Sequence, residues 1–169
     1  MDSHFTATGF VVDGDKTLLL WHRKGRMWLP PGGHILPGEH PVAAVLREIQ
    51  EETSLRVGVI SKNGRLPFAY PEQLTPPYTV LLENSFEEGP PHQHIDFIYF
   101  CRPMEDGNPS FLRAATPWLW LDRKALLRDG PLKAEGPSGL PPDDEDVMRS
   151  LTEDVRSLAL EAIKFAKQC

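Results

Sequence analysis

Residues 32–55 read GGHILPGEHPVAAVLREIQEETSL, a Gly- and Pro-rich loop running into a patterned segment. Pro41 suits the first turn of a helix, with His40 just before it, so the spacing predicts a helix over 41–53. Val42, Val45, Leu46 and Ile49 fall on one stripe, which should pack on a core. Glu48, Glu51 and Glu52 stand at i, i+3 and i+4, directly after Arg47 and mostly on a different side. Residues three and four apart are neighbours on a helix surface, so like charges spaced this way repel. They also lie in the C-terminal half of the helix, where the dipole disfavours negative charge. Taken alone, such a face reads as solvated surface. A hard divalent cation with oxygen ligands reverses that balance.

The 169 residues, 40% hydrophobic and 25% charged, suit a single domain over 1–169 with a substantial core. A net charge of -6 argues against a non-specific nucleic-acid surface, which needs a basic excess. It leaves room for a small phosphate-bearing ligand, because a metal supplies positive charge locally. The two cysteines, Cys101 and Cys169, form no spaced framework, so a disulfide scaffold or thiolate zinc site is not expected. The N-terminus carries no basic segment followed by an apolar run, and no apolar run reaches the length of a membrane span. A cytoplasmic location is the default expectation.

Outside the opening stretch, 4–12 and 17–22 read as two strands joined by the turn Asp13-Gly14-Asp15. Trp28-Leu29 is a short apolar piece, and Pro30-Pro31-Gly32-Gly33 should force an irregular loop. Strands are predicted over 55–61, 78–86 and 92–101, with a Pro-rich loop over 66–77. A further strand should end at Trp118-Leu119-Trp120-Leu121, followed by a short helix over 123–128. The last helix is predicted over 143–167, with Val147, Leu151, Val155, Leu158, Ala162 and Phe165 as its apolar stripe. Asp143 to Asp146 would occupy its first turn, and Lys164 and Lys167 its last. Strands, helix, strands, helix is the order of an α/β fold with a mixed β-sheet between helices, an α/β/α sandwich.

Gly33, Glu39, Arg47-Glu48-Ile49, Glu51-Glu52 and Leu55 stand at the spacing of the Nudix box. The chain therefore resembles the Nudix hydrolase family, with one departure: Ser54 stands where the family has glycine. That glycine would end the helix in a left-handed conformation, so a serine should cost on the order of 1 kcal/mol and carry no chemistry. The resemblance implies Mg2+- or Mn2+-assisted hydrolysis of the pyrophosphate linkage in a nucleoside diphosphate derivative, with water attacking phosphorus. It implies Glu48, Glu51 and Glu52 as metal ligands, with a backbone carbonyl near Gly32, and Glu48 as a group that orients the water. Arg47 and Glu39 would pair and fix the loop on the helix. The chemistry agrees, since divalent metals neutralise phosphate oxygens and acidify water, and carboxylates are suitable ligands.

Further candidates come from position. His92, His94 and Asp96 alternate, so on a strand they share a face as substrate or metal contacts, His94 and Asp96 ahead of His92. His34 follows the Gly-Gly pair and should lie near the site. His22, Arg23, Lys24 and Arg26 are candidates for substrate phosphates, with Arg23 foremost. Trp28, Phe68, Tyr70 and Tyr78 are candidate base-stacking groups, although aromatics are more often core. Tyr70-Pro71 lies where the family loosely marks its ADP-ribose and dinucleoside polyphosphate enzymes, and it supports both labels. An additional acid outside the box is sought among Glu87, Glu88, Glu105 and Asp106. The rival reading is a non-catalytic Nudix-fold nucleotide-binding module, which would usually lack one or more box carboxylates; none is lost here. A small-molecule nucleotide is the expected partner, with no membrane, and a homodimer is the candidate assembly.

Overall fold

The computed structural model describes residues 2–62, 64–85, 89–104, 113–114, 116–128 and 151–169. Two long strands form its spine: β1 (Asp2–Asp13) and β7 (His92–Pro103) run parallel, in register from Asp2↔His92 to Val11↔Cys101. Every other pairing is antiparallel. β2 (Lys16–His22) turns back from the end of β1 and pairs with β3 (Met27–Leu29) and β8 (Trp118–Asp122). β4 (Gly32–His34) pairs with the first half of β1. β5 (Val57–Val59) and β6 (Thr79–Asn84) pair with the two ends of β7.

Alternation along the strands sends side chains to two cores. Phe10, Leu19, Ile98, Phe100 and Leu119 meet α2 (Arg123–Leu127) and α3 (Glu153–Ala166) on one face, through Leu126, Val155, Ala159, Ala162 and Ile163. Ala7, Val11, Leu18, Leu20, Tyr99 and Cys101 meet α1 (Pro41–Thr53) on the other, through Val45 and Ile49. The mixed sheet between helices is the α/β/α sandwich the element order implied. At Gly9, α1 comes so close that a Cβ would lie 2.6 Å from Ile49 Cδ1. No helix among the described residues is long and apolar enough to cross a membrane.

Helix α1 has the expected bounds. Pro41 opens it, and the His40 ring accepts from the Ala43 N–H at 3.1 Å. Ser54 ends it at φ 61° and ψ 9°, its N–H donating to Gln50 O at 2.8 Å. Three expectations need correction. The Pro-Pro-Gly-Gly loop holds a strand, because β1 offers Ala7 and Thr8 as pairing partners for Gly33 and Gly32. The strand expected over 55–61 shortens to Val57–Val59, which pairs only with the end of β7. The last helix begins at Glu153 after an extended Thr152, so Leu151 precedes it; Asp143 to Asp146 and Val147 lie outside the described residues.

Candidate active site

Arg47 organises the acidic stretch. Its Nε and one terminal nitrogen grip both Glu39 oxygens at 3.0 and 2.9 Å, and that nitrogen also donates to His34 O at 3.1 Å. The other terminal nitrogen donates to Glu48 at 2.7 Å and to Glu51 at 3.2 Å. All five N–H hydrogens of the guanidinium are thereby matched to acceptors. Glu39 also accepts from Leu36 N–H at 3.1 Å, and the Arg47 contact holds its carboxyl below the ordinary value. Arg47 in turn is held above its own ordinary value by Glu39 and Glu48. The loop before α1 is thus tied to the helix by bidentate, charge-assisted bonds.

Two glycines make room for this arrangement. A Cβ on Gly33 would lie 2.6 Å from the Glu48 carboxylate, and one on Gly32 would lie 2.7 Å from Ala7 O. The Gly32 N–H donates to Glu52 Oε2 at 3.0 Å. Glu52 is exposed as a residue, yet its carboxylate end is packed against the β4 edge. Lost hydration there, with Glu48 and Glu51 nearby, pushes it up to about 7 against the pull of Gly32 N–H.

Glu52 reaches a cleft on the α3 side of the sheet, lined among others by His22, Gly32, Gly33, His34, Glu83, His94, Asp96 and Asp154. Thr6↔Asp96 and His4↔His94 are register pairs, so the even-numbered residues of β1 and β7 share that face. Buried Asp96 accepts from Thr6 Oγ1 at 3.0 Å; burial raises its carboxyl, and bonds from Thr8 and Thr6 pull it back. Opposite His94 on β6, Glu83 is pushed up to about 7 by burial and then by Asp96 and Asp154.

A family model for the NUDIX domain matches residues 2–147. The chain belongs to the Nudix family. A Nudix hydrolase from Clostridium perfringens has 24% identity and a TM-score of 0.68, with 98% of this chain and 99% of that one covered. A UDP-X diphosphatase aligns at 18% identity and a TM-score of 0.55, over 99% of this chain and 64% of that one. The m7GpppN-mRNA hydrolase NUDT17 of Xenopus laevis is 54% identical over 35 residues, 21% of this chain and 12% of that protein's length.

In this Nudix fold the sequence candidates divide. Glu39, Arg47, Glu48 and Glu51 form one bonded group, with Glu52 beside Gly32, and His34, His94 and Asp96 line the cleft with Glu52. Arg23 does not line it; it lies exposed in the turn between β2 and β3, whereas His22 does line it. Tyr70 is 89% exposed on the 66–77 loop, away from the cleft. Trp28 is fully buried in the α3-side core, and Tyr78 stacks on Phe100 with ring centroids 4.2 Å apart, so both are packing groups. Glu87, Glu88, Glu105 and Asp106 lie outside the described residues. Sequence reading missed Glu83 and Asp154 as cleft acids. The signal for Glu83 was its place two residues after Leu81, on the inward side of β6.

Proposed function

We propose that this Nudix chain hydrolyses the pyrophosphate linkage of a nucleoside diphosphate derivative, with Mg2+ or Mn2+ as cofactor. The observation that carries the reading is the Arg47 hub. It holds Glu48 and Glu51 together while Glu52 sits on Gly32 at the cleft wall. The donor set fits the metal: three carboxylates supply only hard oxygen ligands, as these cations require. Burial first, and then Glu48 and Glu51, raise Glu52, a cost that a bound cation would offset. Glu48, Glu51, Glu52 and the Gly32 backbone would hold the ion. When bound, it supplies charge neutralisation on the phosphate oxygens and a more acidic water.

The remaining work falls to the chain's own residues. Arg47 and Glu39 fix the carboxylates relative to the cleft before substrate arrives, so little reorganisation is left for the reaction itself. Glu48, backed against Gly33, orients the attacking water. Asp96 meets the substrate along the cleft wall, flanked by the rings of His34 and His94. The test is a panel of ADP-ribose, UDP-sugars, capped RNA, dinucleoside polyphosphates and canonical and oxidised dNTPs, assayed with Mg2+ for wild type and Glu52→Gln. Turnover of one class, lost in the variant, supports the reading. Binding without turnover across the panel, with Mg2+ or Mn2+, favours the non-catalytic module. We also propose a homodimer: β6 turns Val80 and Leu82 to solvent at 48% and 65% exposure, and light scattering in solution tests it.

A further inference from the structure

Four histidines from three strands converge beside the cleft: His4 on β1, His34 on β4, and His92 and His94 on β7. One ring nitrogen from each lies within 4.8 Å of all the others. Two pairs are closer, His4 Nδ1 to His34 Nε2 at 3.3 Å and His94 Nε2 to His92 Nε2 at 3.2 Å. We propose that these four imidazoles form a site for a borderline divalent transition metal of the zinc class, separate from the α1 carboxylates.

Zinc binds imidazole nitrogen at about 2.0–2.1 Å in a tetrahedron, which sets neighbouring ligand nitrogens about 3.3–3.4 Å apart. The two close pairs match the edge length of such a tetrahedron, and one nitrogen of every ring lies within 4.8 Å of the others, so the remaining edges would close as the ion binds. The tautomer of one ligand is also set. His92 Nδ1 lies 3.0 Å from Pro90 O, which only accepts, so Nδ1 carries the hydrogen and Nε2 presents a lone pair to the cluster. Glu83 stands opposite His94 on β6, a nearby carboxylate that offsets charge brought by a dication.

The donor chemistry separates this cluster from the box. Imidazole suits zinc, copper, nickel and iron, whereas oxygen-only sets suit Mg2+ and Mn2+. Two kinds of ion can therefore sort to neighbouring places in one molecule. A metal here would tie the start of β1 to β4 and β7, where β1 is otherwise exposed from Asp2 to Phe5.

The test uses full-length, tag-free protein freed of metal and titrated with Co2+ in excess Mg2+. The expected result is one equivalent of Co2+ with the intense visible bands of tetrahedral coordination, displaced by Zn2+. His92→Asn and His4→Gln should each weaken binding at least about tenfold, while Glu51→Gln leaves it unchanged. Zn2+ should also raise the melting temperature of wild type and not of the two His variants. Melting of the metal-free variants checks that they fold, and either one that folds decides. A weak octahedral spectrum, a signal that survives both His variants, or one lost in Glu51→Gln would overturn the proposal.

Discussion

Two acidic walls follow opposite electrostatic plans: the acids around Arg47 on α1, of which only Glu52 reaches the cleft, and the acids that line the cleft itself. On the α1 wall the acids are matched to a cation: Arg47 contacts Glu39, Glu48 and Glu51, and Glu39 titrates below its ordinary value. On the cleft wall Glu83, Asp96 and Asp154 come together, and burial first, then Asp96 and Asp154, push Glu83 up to about 7. Glu52 belongs to the first wall by sequence but behaves like the second, lying beyond the reach of the Arg47 bonds and also raised to about 7. The α1 wall is therefore fixed by the chain's own cation, Arg47. Glu52, Glu83 and Asp96 are instead left raised by burial, with no cationic side chain among the hydrogen-bond partners described for them.

Kinetics separate the two walls most strongly. Glu52→Gln should lower kcat/KM roughly 10^3-fold, since loss of metal-based charge stabilisation is worth about 4 kcal/mol. Glu83→Gln should lower it by less than about tenfold, the low end for a supporting group. Equal losses in both variants would show the walls to be equivalent. Next in size is Arg47→Lys. Lysine has three donors and no planar fork, so it cannot hold Glu39, Glu48 and Glu51 together. The Mg2+ concentration for half-maximal rate should rise about 10–100-fold, with kcat at saturating Mg2+ recovering in part.

A third test uses pH and the metal-free protein. Glu52 and Glu83 have folded-state values near 7, above the ordinary 4.5, so the folded chain keeps protons that the unfolded chain has released. Their contribution to stability is fully present below about 4.5 and is lost as pH rises toward 7. Thermal melts should therefore fall across that window. Glu83→Gln should flatten its share, and added Mg2+ should restore stability at the upper end through Glu52. A melting temperature that rises through the window, in the absence of metal, would contradict the electrostatic account of both walls. The smallest effect is Ser54→Gly. Relieving a left-handed serine should stabilise the fold by about 1 kcal/mol, roughly 2–4 °C in Tm, with activity unchanged.

These walls were unequally legible in the sequence. The α1 wall was readable because its partners are local: Glu39, Arg47, Glu48 and Glu51 lie within 13 residues, and Pro41 fixes where the helix starts. The cleft wall is assembled by strand register. Glu83 and Asp96 are neighbours only because β6 and β7 pair, and His4 meets His94 only because β1 runs parallel to β7. β4 escaped notice because Gly32-Gly33-His34 has no intrinsic strand preference and is extended by its pairing with β1. The sequence pattern starts the last helix at 143 because the acids at 143–146 resemble a first turn. Glu153 and Asp154 hold that place in the structure, after Thr152, which makes no side-chain cap bond.

The Arg47 guanidinium is fully committed within the chain. Each of its hydrogens already has an acceptor, two of them on Glu39 and the others on His34 O, Glu48 and Glu51. An arginine beside a phosphate site is ordinarily the first candidate to clasp the ligand. Here it has no hydrogen left to offer, and turning toward an incoming phosphate would release the loop or the carboxylates it holds. Its contribution to recognition is therefore that of a keystone: it bears the arch and touches nothing that passes beneath.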